Sequence, residues 1–246
     1  MSIYRVGAIA LSLVLSGTGL SQTLRMYGPG GPLAPFKECA AVFSYKENVK
    51  VEVVAGPEEQ WWPEAQGDAD IIYGGAEYML TQFDQKHPGF LAAGTRSELY
   101  PRAVGILVRR NNPKHLRTLS DLARPGVAIL DVNGAGQLGL WEDLAGRKNL
   151  IGPLQRNIAV SAKNSAEGIR LWNSKPELDA WITYESWHNR LEKETTLVRL
   201  PASERIYRGT PLAITSRSQM KKEAQGFITF LETPQAHAIF VKWGWK

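Results

Sequence analysis

"RMYGPGGPLAPFKECAAVF", residues 25–43, leads from a short apolar segment through a loop of glycines and prolines into a helical pattern. The segment "TLRMY" (23–27) predicts a strand directly before the loop. Apolar residues then recur at the spacing of one helix face: Leu33, Phe36, Ala40 and Phe43. The stretch therefore predicts a strand, a glycine-rich loop and a helix, in that order.

The same order recurs along the chain, in "VVAGPEEQW" (53–61), "DADIIYGGAEYMLTQF" (68–83), "VAILDVNGAGQLGLWEDLAGR" (127–147) and "IAVSAKNSAEGIRLW" (158–172). Strands that alternate with helices predict an α/β fold with largely parallel sheets. Two local features refine this prediction. Pro63 should shorten or kink the helix that follows Gly56, and Ser120 should N-cap a short helix in "TLSDLARPG".

The first residues predict export. Arg5 precedes the apolar run "VGAIALSLVLSGTGL" (6–20), which is too short to span a bilayer and ends in small residues. We expect residues 1–21 to be a signal peptide that is cut between Ser21 and Gln22, and the mature protein to be periplasmic. No later segment has the length and hydropathy of a membrane span.

Composition narrows the classes of function. Cys39 is the only cysteine, so no internal disulfide can form, and its place in an apolar helical stripe predicts a buried thiol. The net charge is +5, but the basic residues are spread along the chain instead of forming a stripe. Together with export, this spread argues against nucleic acid as a partner.

Each glycine-rich loop follows a predicted strand and precedes a helix. In open parallel sheets, ligands bind beyond the carboxyl ends of the strands, where the first-turn N–H groups of the helices lack internal partners. Glycine lets an anion come close to those amides. A hydrogen bond to a charged group contributes about 1.5–3 kcal/mol, against about 0.3–1 kcal/mol for one helix dipole. Several converging donors therefore predict anion binding, whereas any single loop is explained equally well as a tight turn.

Other functions have weaker support. "GAGQLG" (134–139) matches the dinucleotide-binding pattern, but the next predicted strand ends at Lys163 and Asn164 instead of at an acidic residue. The four histidines are scattered, and no hydrolase elbow or metal-ligand spacing occurs. We expect neither enzymatic activity nor a cofactor nor a bound metal.

The chain resembles the accessory colonization factor (AcfC) family, which belongs with the molybdate- and sulfate-type periplasmic solute-binding proteins. The resemblance covers nearly the whole mature chain, in "LRMYGPGGPLAPFKE", "VVAGPEEQW", "ADIIYGGAEYMLTQF", "VNGAGQLGLWEDLAGR", "AKNSAEG" and "FLETPQAHAIFVKWGW". It implies a two-lobed type II periplasmic binding protein fold with a two-strand hinge and the ligand cleft between the lobes. We expect crossings near residues 102–105 and 209–213, lobe one at 22–104 and 214–246, and lobe two at 105–213.

The loops and the resemblance together give the candidate ligand-binding residues Gly30, Gly31, Gly56, Pro57, Gly75, Gly134, Ala135, Gly136, Gln137, Asn164 and Ser165. Tyr184 matches the position at which molybdate-type relatives use a tyrosine hydroxyl. Arg102 and Arg208 flank the expected crossings, where each would either pair with a carboxylate or phosphate or tie the lobes together. Gly56 and Pro57 stand where oxyanion binders often carry serines, which puts a bare molybdate or sulfate ligand in doubt.

The implied function is capture of a small anion, either an oxyanion such as sulfate or molybdate or a small carboxylate or phosphorylated acid, for an ABC-type transporter. A colonization, adhesion or signalling role without transport is the alternative, because a fold does not fix a function. A permease partner and a homodimer both remain open from the sequence.

Overall fold

The computed structural model describes residues 23–246, and the predicted signal peptide lies outside the described residues. The strands are β1 (Thr23–Gly28), β2 (Lys50–Ala55), β3 (Ile71–Tyr73), β4 (Ser97–Arg109), β5 (Ile129–Val132), β6 (Ile158–Ala162), β7 (Ala180–Tyr184), β8 (Thr195–Val198) and β9 (Tyr207–Ile214). The α-helices are α1 (Leu33–Glu47), α2 (Glu58–Asp68), α3 (Glu77–Lys86), α4 (Leu140–Gly146), α5 (Ile151–Asn157), α6 (Ser165–Ser174), α7 (Lys221–Leu231) and α8 (Pro234–Lys242). Within this described part, no helix is both long and apolar enough to cross a bilayer.

Two sheets share the long strand β4. The first sheet has the order β2-β1-β3-β9-β4, and the second has the order β6-β5-β7-β4 with β8 on the other side of β4. The α/β prediction is confirmed, but half of the strand pairs are antiparallel, namely those that involve β4, β8 or β9. Alternation of strands with helices predicts parallel pairing only for neighbouring strands that a helix connects. The pairs formed by β4, β8 and β9 are not of this kind.

The two sheets define two lobes. The N-terminal part of β4 pairs with β9 in the first sheet as far as Ala103, and the part from Val104 onwards pairs with β7 in the second sheet. The partner of β4 thus changes from the first sheet to the second within the expected first crossing, residues 102–105. β9 pairs with β3 and β4 of the first sheet from Tyr207 onwards, so the expected second crossing at 209–213 lies inside that sheet. We therefore propose that the second crossing is at residues 199–206.

Each lobe has its own aromatic core. In the second lobe the fully buried Trp172 of α6 packs against Trp181 of β7. In the first lobe Phe36 contacts Tyr73 and Phe240. A smaller cluster, which includes Trp61, Phe83 and Phe90, fills the space under α2 and α3. Cys39 is buried and free, as its position in the apolar stripe predicts.

Helix α2 is not shortened at Pro63, and the prediction that Ser120 is an N-cap is wrong. Helix α2 continues through Pro63, because the buried side chains of Trp61 and Ala65 hold it against the sheet despite the lost backbone donor. Ser120 is the first residue of a 3₁₀ helix and makes no capping bond. Thr118 and Asp121 cap that turn reciprocally instead, with the Thr118 hydroxyl accepting from the Asp121 amide at 3.2 Å and the Asp121 carboxylate accepting from the Thr118 amide at 2.9 Å.

Candidate functional site

A cleft of about 500 Å³ opens between the two lobes. The loops after β1, β2 and β3 form one wall, and the loops after β5, β6 and β7 form the other. Six of the predicted site residues line the cleft: Gly30, Gly56, Pro57, Ala135, Asn164 and Ser165. These loops gather at the carboxyl ends of parallel strands, where the strand-to-helix pattern predicts them.

The lobes touch at one end of the cleft, which we call the junction (Gly75, Tyr78, Ala135, Gly136 and Arg102). A Cβ atom built on Gly136 would lie 2.7 Å from the carbonyl oxygen of Gly75, so only glycine permits this approach. The Tyr78 hydroxyl donates to the carbonyl of Ala135 and accepts from the Leu138 amide at 3.1 Å. The junction therefore brings a glycine turn from each lobe into direct contact.

Arg102 carries a positive charge into the junction. Only 2% of its surface is exposed, and burial lowers the pKa of its guanidinium. One terminal nitrogen donates to the carbonyl of Gly75, and the other lies 3.0 Å from the position that a Cβ on Gly31 would occupy. Among residues 23–246 it forms no ion pair, and its Nε has no hydrogen-bond partner. The chain thus buries a cation that has no carboxylate of the described residues within ion-pair distance, and the charge of Glu77 acts on it only from farther away.

Tyr184 supports this arginine. The guanidinium carbon of Arg102 lies 3.8 Å from the centroid of the tyrosine ring and 5.1 Å from that of Trp245. The Tyr184 hydroxyl donates to the carbonyl of Gly136, and burial raises the pKa of that hydroxyl. Its proton is therefore already engaged, and in this arrangement the ring is a platform for Arg102 rather than a free donor.

The loop between β6 and α6 supplies polar groups to the cleft. The Asn164 side chain caps α6 by accepting from the Glu167 amide at 3.0 Å. The Ser165 hydroxyl oxygen accepts from the Gln137 side chain at 2.8 Å, which leaves its hydrogen free to donate into the cleft. The Gln137 side chain also accepts from the Trp181 indole at 3.1 Å, so Gln137 is a buried support of the wall and not part of its surface.

Two of the candidate ligand-binding residues, Gly56 and Pro57, have no free backbone N–H to offer a ligand. The Gly56 amide donates to the Gly28 carbonyl at 3.0 Å, and Pro57 has no N–H. Gly56 also accepts from the Trp61 indole at 3.0 Å. Both residues line the cleft, but they provide shape and not hydrogen bonds. Gly134 has a packing role, since a Cβ there would lie 2.2 Å from the Lys163 carbonyl.

Arg208 pairs with Asp143 of α4, and its other terminal nitrogen donates to the Tyr207 carbonyl at 3.2 Å. Because Arg208 lies on β9 of the first sheet and Asp143 belongs to the second lobe, this ion pair joins the lobes. Of the two roles that the sequence left open for Arg208, the geometry favours the tie between lobes.

Three cleft or junction residues were missed by the sequence analysis. Lys163 and Arg190 line the cleft, and Arg190 donates to the Gly30 carbonyl at 3.1 Å across it. Tyr78 lies in the first turn of α3. The signal for Lys163 and Arg190 was present, because each follows the end of a strand of the second sheet. No comparable signal pointed to Tyr78, whose contacts depend on how the lobes meet.

Metal binding has no support in the described part of the chain, where no group of three His, Cys, Asp or Glu side chains is arranged to hold an ion. The charged groups that line the cleft are instead Lys163 and Arg190 from one lobe and Glu58 and Glu59 from the other. Glu58 pairs with the Lys86 ammonium at 2.7 Å and is hydrogen-bonded to the His87 ring at 2.9 Å.

Two lobes joined at β4, with a cleft between strand-end loops, define a type II periplasmic binding protein fold. The chain belongs to the bacterial extracellular solute-binding protein family, whose sequence model matches residues 24–246. It is 31% identical to PEB3 in a crystal structure with bound L-phospholactate, with a TM-score of 0.84 over 91% of this chain and 99% of that one. A structure of Peb3 from Campylobacter jejuni gives the same identity and coverage and a TM-score of 0.82.

A curated relative, the sulfate-binding protein of Synechococcus elongatus, is 24% identical over 203 residues, which are 73% of this chain. The match spans 57% of the length of that relative. The molybdate-binding protein of Azotobacter vinelandii shares the fold, with a TM-score of 0.69 and 16% identity over 91% of this chain and 98% of that one.

Proposed function

We propose that this protein is a periplasmic, AcfC-like solute-binding protein that captures a small anion between its lobes and presents it to an ABC-type transporter. The anion carries a carboxylate, a phosphate or a related oxyanion group. The observation that carries the proposal is the buried guanidinium of Arg102, which lies where the two lobes meet and has no ion-pair partner among the described residues.

The energy of that charge supports an anionic ligand. Removing an ion from water costs several kcal/mol even after the protein relaxes, and the stacked rings and one carbonyl compensate for only part of this cost. An anion at the junction would add charge-assisted hydrogen bonds of about 1.5–3 kcal/mol each. A guanidinium presents a planar fork of donors that matches a carboxylate or a phosphate.

The other hydrogen-bond donors that line the cleft also suit an anion. The hydroxyl of Ser165 and the side chains of Lys163 and Arg190 line the second-lobe wall. Micromolar affinity requires about 8 kcal/mol, which one loop cannot supply but several converging donors can. Because these donors lie on the second-lobe wall and Arg102 lies where the lobes meet, the ligand would favour the closed form, in which both contact it.

The relatives supply the ligand classes that are worth testing, since their names record L-phospholactate, sulfate and molybdate. A thermal-shift panel should therefore contain phospholactate, phosphoglycerate, citrate, phosphate, sulfate and molybdate, each at matched ionic strength. A ligand present at about 100 times its Kd adds roughly 2.7 kcal/mol of stability. We expect at least one anion to raise the melting temperature. Stabilisation by sugars or cationic peptides, with none by any anion, would contradict the proposal.

A further inference from the structure

We infer that the ligand is an organic anion with an apolar portion, and not a bare tetrahedral oxyanion. The inference rests on the proposed function and specifies the class of its ligand. It is carried by the size of the cleft and by the unequal chemistry of its two walls.

The cleft has room for a ligand much larger than a bare oxyanion. Its volume of about 500 Å³ corresponds to roughly 16 water molecules at about 30 Å³ each. A tetrahedral oxyanion has five heavy atoms and fills the space of roughly two to three waters on the same scale. A volume of this size is typical of sites for larger organic ligands.

Apart from the carboxylates of Glu58 and Glu59, the first-lobe wall is mostly apolar. Its contribution to the lining includes Leu33, Trp61, Ile72, Met79, Leu80 and Phe83. The indole N–H of Trp61 is already bonded to Gly56, so the ring presents only carbon to the cleft. The deeper members of this wall belong to the hydrophobic cluster under α2 and α3, which holds them in place.

The second-lobe wall is mixed, with all the cationic side chains of the lining. Lys163, Ser165 and Arg190 lie on it, beside Ile169 and Trp187. A bare oxyanion needs donors on every side, because each charged oxygen that loses water without gaining a hydrogen bond is strongly destabilised. A ligand with an anionic end toward the second lobe and the junction, and a hydrocarbon or aromatic part against the first-lobe wall, satisfies both surfaces.

Isothermal titration calorimetry with two ligand series tests this inference. The first series is methyl, butyl and phenyl phosphate, and the second is acetate, pentanoate and phenylacetate. Each CH₂ that leaves water contributes a factor of about four in affinity. We therefore expect butyl phosphate to bind roughly 60-fold more tightly than methyl phosphate, with a more negative heat-capacity change. Pentanoate should exceed acetate in the same way.

A matched pair of variants tests whether the gain in affinity with chain length arises in the cleft. Leu33→Gln changes the half-buried first residue of α1 on the apolar wall, whereas Ile151→Gln changes the 40%-exposed first residue of α5 outside the cleft. We expect Leu33→Gln to reduce the butyl-to-methyl ratio roughly fourfold while methyl phosphate binds as in the wild type. Ile151→Gln should leave the ratio unchanged.

The outcomes separate the inference from the function on which it rests. Equal affinities within each series, or affinities that fall as the chain grows, would overturn the inference while anion capture stands. Failure of both complete series and of the inorganic oxyanions to bind would overturn the proposed function as well.

Discussion

The guanidinium carbon of Arg102 lies 3.8 Å from the ring centroid of Tyr184, on the neighbouring strand of the second sheet. The register explains the contact. Val104 is paired with Tyr184, and Arg102 stands two residues before Val104 on the same face, so the two side chains are diagonal neighbours. The strand that joins the lobes thus also carries the buried cation of the junction.

Tyr184→Phe should separate the role of the tyrosine ring, which stacks on Arg102, from the role of its hydroxyl. The ring under Arg102 is kept, and only the hydrogen bond to the Gly136 carbonyl is lost. We expect the free energy of unfolding to fall by about 1 kcal/mol, with anion affinity changed less than about threefold. Denaturant unfolding and calorimetry measure the two effects. A tenfold loss of affinity would instead make the hydroxyl a ligand donor.

Tyr78→Phe should loosen the contact between the lobes. Its hydroxyl bonds to Ala135 and Leu138 across the cleft, whereas the hydroxyl of the control residue Tyr100 donates to Leu231 within the first lobe, at 2.9 Å. Two lost bonds correspond to about 1–3 kcal/mol. We expect Tyr78→Phe to weaken anion binding and to increase the radius of gyration in X-ray scattering of the ligand-free protein, with Tyr100→Phe unchanged in both. Identical scattering and affinity for the two variants would remove Tyr78 from the contact.

Glu58 should make a stabilising contribution that acid removes. Burial raises the pKa of its carboxyl, but hydrogen bonds from His87 and Lys86 outweigh burial and leave the pKa below its ordinary value. A lowered folded-state pKa gives stability that is present above the unfolded pKa, about 4.3, and is lost as pH falls through the folded pKa. Glu58→Gln should therefore lower the free energy of unfolding by about 0.2–1 kcal/mol at pH 7, the range for exposed ion pairs, and by progressively less toward pH 3. Glu59→Gln, in the same helical turn, is the control, and a cost independent of pH would refute the ion pairs.

The thiol of Cys39 should be inert in the folded protein. Burial, with a smaller contribution from Glu38, raises the pKa of this thiol to about 12, and none of its surface is exposed. Only the thiolate reacts, so alkylation by iodoacetamide at pH 8 should be at least about a thousandfold slower than in guanidinium chloride. Native labelling within tenfold of the unfolded rate would show that α1 opens readily.

Much of the fold follows from local pattern. The strand, glycine loop and helix order placed β1, β2, β3, β5 and β6 with their helices, because each unit buries its own apolar face. The sequence did not predict α5, whose seven residues leave only Leu154 buried. Pairing of β9 with β3 is a long-range choice that no local spacing encodes, so the sequence did not predict that residues 209–213 lie inside the first sheet.

The site was predictable only in outline. Loops at strand ends identified the region, since their position follows from topology alone. Whether a loop amide is free depends on partners elsewhere, as the Gly56 amide shows by donating to Gly28. The roles of Arg208 and Tyr184 likewise depend on Asp143 and Gly136, which meet them only in the folded chain.

Arg109 offers a matched control for Arg102. It lies on the same strand, and its guanidinium carbon is also 3.8 Å from an aromatic centroid, that of Trp172. Its donors, however, are occupied by backbone carbonyls, including those of Leu178 at 2.6 Å and Trp172 at 3.0 Å. Arg109 is therefore a structural arginine with a similar stacking geometry.

The most direct measurement is calorimetric titration of Arg102→Lys, Arg109→Lys and the wild type with the anion that stabilises the wild type most. Lysine keeps the charge and loses the planar fork. Loss of one charge-assisted hydrogen bond, about 1.5–3 kcal/mol, predicts that Arg102→Lys binds roughly tenfold to 150-fold more weakly, while Arg109→Lys binds as the wild type does. A folded Arg102→Lys variant whose Kd stays within threefold of the wild-type value would contradict the account.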